Sequence, residues 1–121
     1  MAKFTAITVT IPSGASGLQT GFIELEGGAE LVALHMPAAW IAAAITFDAS
    51  AVRAGTENGV FDSDGAELSL SAAINRAISL TPIERDLVSA HPYVRVRSGT
   101  EAVPVDQTAT RTIIAIVRHR T

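Results

Sequence analysis

The chain contains no cysteine, which excludes disulfides, thiolate zinc sites and cysteine nucleophiles together. Aromatic residues are scarce: one tryptophan, one tyrosine and four phenylalanines in 121 residues. A sugar-stacking platform, which uses several exposed rings, has little to draw on. No uninterrupted apolar run approaches the ~18 residues needed to cross a bilayer as a helix. No signal-peptide pattern follows Met1–Lys3, so the expectation is a soluble protein not exported by that route. Positive charge is not in excess either. The net charge is −3, which argues against a partner held by its phosphate backbone. The arginines Arg95, Arg97, Arg111, Arg118 and Arg120 nevertheless gather in the last quarter, which suits a local basic face for an acidic protein partner.

Chemical motifs are equally sparse. There is no Walker motif and no GxGxxG. Gly14-Ala15-Ser16-Gly17 is one residue short of the GxSxG nucleophile elbow, and no strand-to-helix turn follows it. His35, His91 and His119 form no HxH or HExxH pair, so metal ligation has no local support. His35, inside an apolar run, is expected to be a hydrogen-bonded core residue. Asp62, Asp64 and Glu67 surround Gly65 like a fragment of a calcium loop. The twelfth position counted from Asp62 is Ala73, however, where an EF-hand needs a bidentate Glu. A hydrated turn is expected there. No catalytic residue, cofactor or metal is assigned, and the chain is not expected to be an enzyme.

What the sequence does contain is strand periodicity. The stretch Leu31–Ser50 organises it. Leu31–Met36 is apolar on both faces and reads as a central strand. Ala44–Ala49 alternates Ile45 and Phe47 with Thr46 and Asp48, and reads as its half-exposed neighbour. Pro37 ends the first run. Between the runs, Ala38–Ala44 is expected to be a helix-like turn or wide connection. Trp40, inside it, reads either as a plug between two sheets or as an interface anchor.

Elsewhere, Phe4–Ile11 is a strand and Leu18–Leu25 a strand broken by Gly21. Val52–Ser63 is a long loop with a short hairpin around Asn58-Gly59. Glu67–Ser71 and Arg76–Leu80 are strands. Thr81-Pro82-Ile83-Glu84 opens a short helical turn with Thr81 as N-cap. In Pro92–Ser98, Val94 and Val96 face one side, while Tyr93, Arg95 and Arg97 face the other. The two arginines invite carboxylates, either on the next strand or on another subunit. After the Gly99–Ala109 loop, Thr112–His119 reads as a central strand. About eight short strands, one short helical turn and Gly/Pro-rich turns indicate a single all-β domain over residues 1–121, a sandwich or barrel, with a jelly-roll-like β-sandwich as the expected architecture.

Several segments together resemble one family: LVALHMPAAW, ITFDAS, DSDGAELSLSA, RAISL and YVRVRSGTEAVPVDQTATRTIIAIV. In this order they look like small virion proteins of tailed bacteriophages and gene transfer agents, over roughly Gly21 to Val117. The chain departs from that pattern at RAGTENGV, where family members often carry a DGGTxW-like segment. The resemblance implies a structural protein on the virion head, made in the bacterial cytoplasm, that decorates the capsid or forms the base of a head spike at its vertices. It implies the major capsid protein as partner, a homo-oligomer and, for a spike, a mounted fibre protein. Neither nucleic acid nor membrane is an expected partner. The candidate interface residues are Trp40, Tyr93, Arg95 and Arg97. The alternative reading is a carbohydrate-binding module for host surface polysaccharide.

Overall fold

The computed structural model describes the backbone of residues 2–120 and the side chains of 3–119. Eight strands and one helix are present among them: β1 (Ala2–Ile11), β2 (Ile23–Glu24), β3 (Glu30–His35), β4 (Ile45–Ser50), β5 (Asn58–Gly59), β6 (Ala77–Ser79), α1 (Pro82–Ser89), β7 (Tyr93–Ser98) and β8 (Arg111–Arg120). They form two antiparallel four-stranded sheets in the orders β1-β8-β3-β6 and β2-β7-β4-β5. That interleaving of strands from both ends of the chain is the jelly-roll arrangement.

Period-two alternation builds the core. Val9, Ile11, Leu31, Leu34, Ile113, Ala115 and Val117 from the first sheet meet Ile23, Ile45, Phe47, Val94 and Val96 from the second, and all but Ile23 are fully buried. β8 lies between β1 and β3, in the central place its apolar residues indicate. Ile113 faces the core and Ile114 is half-buried on the outer side.

Several expectations need correction. β4 is not a neighbour of β3 but belongs to the other sheet. It is not half-exposed, because Thr46 and Ser50 on its polar face are buried as well. His35 is exposed rather than in the core. A β-bulge between Leu31 and Ala33 on β3 shifts the alternation, so that Leu31 and Leu34 both point inward. Ser89 Oγ of α1 accepts a hydrogen bond from Leu31 N–H at 3.1 Å beside that bulge. The expected strand Leu18–Leu25 is reduced to Ile23–Glu24, with single bridges at Leu18 and Thr20. Glu67–Ser71 likewise makes only the bridges Phe61↔Glu67 and Ile45↔Leu70. Asn58-Gly59 is not a hairpin turn: it is itself the strand β5, laid against Asp48 and Ala49. Residues 38–44 contain no helical turn. The helical turn at Thr81 extends to eight residues, with the expected capping box of Thr81 and Glu84 in place.

Candidate functional site

The outward face of β7 carries Tyr93, Arg95 and Arg97, because Val94 and Val96 take the core face. Opposite them on β4 stand Ser50, Asp48 and Thr46, in register. Two long connections fold over this face, and each β7 side chain fastens one of the surrounding segments.

Tyr93 Oη donates to Glu26 Oε1 at 2.9 Å, just beyond β2. Its ring meets Phe22 edge-on, with centroids 5.3 Å apart, and the Arg53 guanidinium lies 5.0 Å from the Phe22 ring centre. The Glu26 hydrogen bond, then burial, push the Tyr93 pKa above its ordinary value. Arg95 donates from Nε to Gly21 O at 3.0 Å and from its guanidinium to Glu57 Oε1 at 2.9 Å. Between these groups lies an open cleft of about 250 Å³, lined by Phe22, Ser50, Gly55, Glu57, Tyr93 and Arg95.

Arg97 is the most enclosed of the row, 3% exposed. Its guanidinium pairs with Asp48, donates to Thr46 Oγ1 at 3.2 Å and lies 3.5 Å from Glu67 Oε2. Thr46 Oγ1 in turn donates to Gly99 O at 2.7 Å. Glu67 Oε2 also accepts from Glu101 N–H at 3.0 Å, so one carboxylate joins the 60–67 segment to the 99–104 turn. Burial pushes the Arg97 pKa below its ordinary value, against the opposing field of Glu101. The arginines that the sequence offers as an interface are therefore paired within their own chain: Arg97 with Asp48 and Glu67, Arg95 with Glu57. Of the two possibilities open for them, the intrachain one is occupied. With four carboxylates around two guanidiniums, this face is acidic on balance.

Trp40 is not part of this row. It is half-buried in the β3–β4 connection, packed against the edge of the core, with Nε1–H donating to Ala43 O at 3.1 Å. It is not a full plug between the sheets, and part of its surface stays exposed.

Gln107, which stands in the sequence only as part of the PVDQTATR stretch of the family resemblance, ties the 99–110 connection to the β3–β4 connection. It is fully buried. Its Oε1 accepts from Ile41 N–H at 2.7 Å, and its Nε2 donates to Ile41 O at 2.9 Å and to Ser98 Oγ at 2.8 Å. One amide thus pairs with both backbone groups of Ile41 as a ladder residue would.

Asp62 Oδ1 accepts from Asp64 N–H and Ala66 N–H, each at 2.9 Å. It is a turn, as expected from its composition. Among the described residues no group of three or more His, Asp or Glu is placed to hold a metal ion, and no helix is long and apolar enough to cross a membrane.

The pinned connections end in exposed apolar side chains. Phe61 is 43% exposed and Val103 is 68% exposed. They stand on the segments that Glu67 joins, with Asp62, Asp64 and Glu101 close in sequence.

No family model, no curated protein and no solved structure matches this chain.

Proposed function

We propose that this chain is a structural subunit of the head of a tailed bacteriophage or gene transfer agent. It binds the major capsid protein as a decoration or as the base of a head spike, on which a fibre protein mounts. The observation that carries this reading is the way β7 is used. Arg95 and Arg97 fasten the long polar connections to the sandwich, so that Phe61 and Val103 project from supported segments rather than loose ones. Long connections in a small domain are usually functional or disordered, these are fastened to the sheet, and exposed apolar tips with carboxylates nearby suit a protein surface with complementary cations. The sequence resemblance over Gly21–Val117 points the same way, and jelly rolls recur in capsid proteins.

Jelly rolls also recur in lectins, which keeps carbohydrate binding as the competing reading. The cleft beside Tyr93 favours it less. Tyr93 is only 8% exposed, and the Phe22 ring already lies against the Arg53 guanidinium and Tyr93.

The test is co-sedimentation with parent capsids stripped of this protein, alongside a glycan array. Wild type is expected to pellet with capsids. A Phe61→Ala/Val103→Asp double variant is expected to bind about tenfold or more weakly, with an unchanged melting temperature. Glycan binding without capsid binding would overturn the proposal in favour of the carbohydrate module.

A further inference from the structure

Sandwich sheets end in edge strands whose outer N–H and C=O groups need water or a partner, and natural proteins keep such edges short, charged, bulged or broken by proline. Three of the four edges here are short: β2 and β5 have two residues each and β6 has three. The fourth, β1, has ten. Its pairing with β8 runs through ten consecutive positions with no register shift. It contains no proline, and Lys3 is its single charge.

The orientation of its free groups follows from one bond. Thr20 N–H donates to Thr10 O at 2.9 Å, from the side away from β8. In an antiparallel ladder the backbone groups of successive residues point to opposite sides. Ala2, Phe4, Ala6 and Thr8 therefore direct their N–H and C=O groups outward like Thr10, while the odd-numbered residues bond to β8. Thr20 occupies the outer side at Thr10 and closes the edge there. The free set is Ala2, Phe4, Ala6 and Thr8.

We propose that a second copy of this chain pairs with this edge, antiparallel, about a two-fold axis at Thr5. In that register Ala2 faces Thr8 of the partner subunit and Phe4 faces Ala6 of the partner subunit. It maps all four free residues onto one another and stops where Thr20 begins. Each such pair exchanges two hydrogen bonds, about eight in total. No like charges meet: the two Lys3 side chains lie four residues apart along the ladder, roughly 13 Å. Phe4, 61% exposed on the outer face, gains cover from across the new seam. The two β1-β8-β3-β6 sheets then form one continuous eight-stranded sheet. This gives a surface to the homo-oligomer that the sequence resemblance implies, but it rests on β1 geometry alone.

The experiment uses purified full-length protein without capsids, so its outcome is separate from capsid binding. Sedimentation equilibrium is expected to give a dimer. Ala6→Pro removes an outward N–H that β8 does not use, and Phe4→Lys places charge at the seam. Each is expected to weaken dimerisation at least about tenfold with the fold retained by circular dichroism. Since the chain has no cysteine, Thr5→Cys supplies a single thiol at the axis. On mild oxidation it is expected to form a covalent dimer, whereas Thr8→Cys, which faces Ala2 of the partner subunit, is not. A monomeric wild type, a dimer indifferent to Phe4→Lys, or equal cross-linking at positions 5 and 8 would each overturn the proposal. An edge occupied instead by a different protein's strand would show as the first of these.

Discussion

At Arg97 a positive charge is held almost out of water, and the cost is offset only because Asp48 and Glu67 stand beside it. Removing one member of such a group leaves the others buried without a counter-charge. Arg97→Met is therefore expected to lower the unfolding free energy by about 3 kcal/mol, and adding Asp48→Leu should recover much of that loss. Urea titration of the wild type, the single variant and the double variant measures both. Asp106 works differently. Backbone N–H groups of Gly14 and Thr108 donate to its Oδ1 at 2.9 and 2.8 Å, and hold its pKa below the ordinary carboxylate value. A carboxyl group lowered in the folded state contributes stability above its unfolded pKa and loses it as pH falls through the folded one. Asp106→Asn should thus be less stable than wild type near neutrality. The two stability–pH curves should converge on acidification below about pH 4, as thermal melts across that range would show. Alternation alone put Arg97 on the outward face of β7. Nothing local announced that residues 58–67 would cover that face, so its burial could not be read from the sequence; Gln107 stood there within the PVDQTATR stretch, but its backbone partner Ile41 is 66 residues away.

Elements were legible in proportion to how far local chemistry decides them. The Thr81-Pro82-Ile83-Glu84 start carries its own capping signals, and the structure has Thr81 Oγ1 accepting from Glu84 N–H at 3.3 Å and Glu84 Oε1 accepting from Thr81 N–H at 2.8 Å. Thr81→Ala should cost about 1 kcal/mol. Equilibrium denaturation is the measurement, and an unchanged midpoint would mean that packing of Val88 alone holds α1. β1, β7 and β8 were legible from clean alternation. β3 was legible as a strand but not in its facing, because a bulge is one residue of misregister that no composition signals. The 18–25 and 67–71 segments alternate as strands do, yet make only isolated bridges. Alternation reports which side chains are buried, not whether a continuous ladder runs alongside.

At the scale of the molecule, an all-β domain of about eight strands could be counted from periodicity, while its division into two sheets and the order of their strands lie in contacts between distant parts of the chain. That order has a consequence for how the protein is made. The ladder partner of β1 is β8, and β8 also holds β3. While the chain is still on the ribosome, β1 leaves the exit tunnel long before β8 does, and it must wait with both edges bare. The first sheet therefore cannot assemble in step with synthesis. It closes in a late event of high contact order, the slow regime for small domains. Until that moment the Thr- and Ile-rich β1 segment presents an unpaired strand open to non-native pairing. A chain that stalls or is cleaved before Arg111 leaves β1 without its ladder neighbour and β3 with β6 alone.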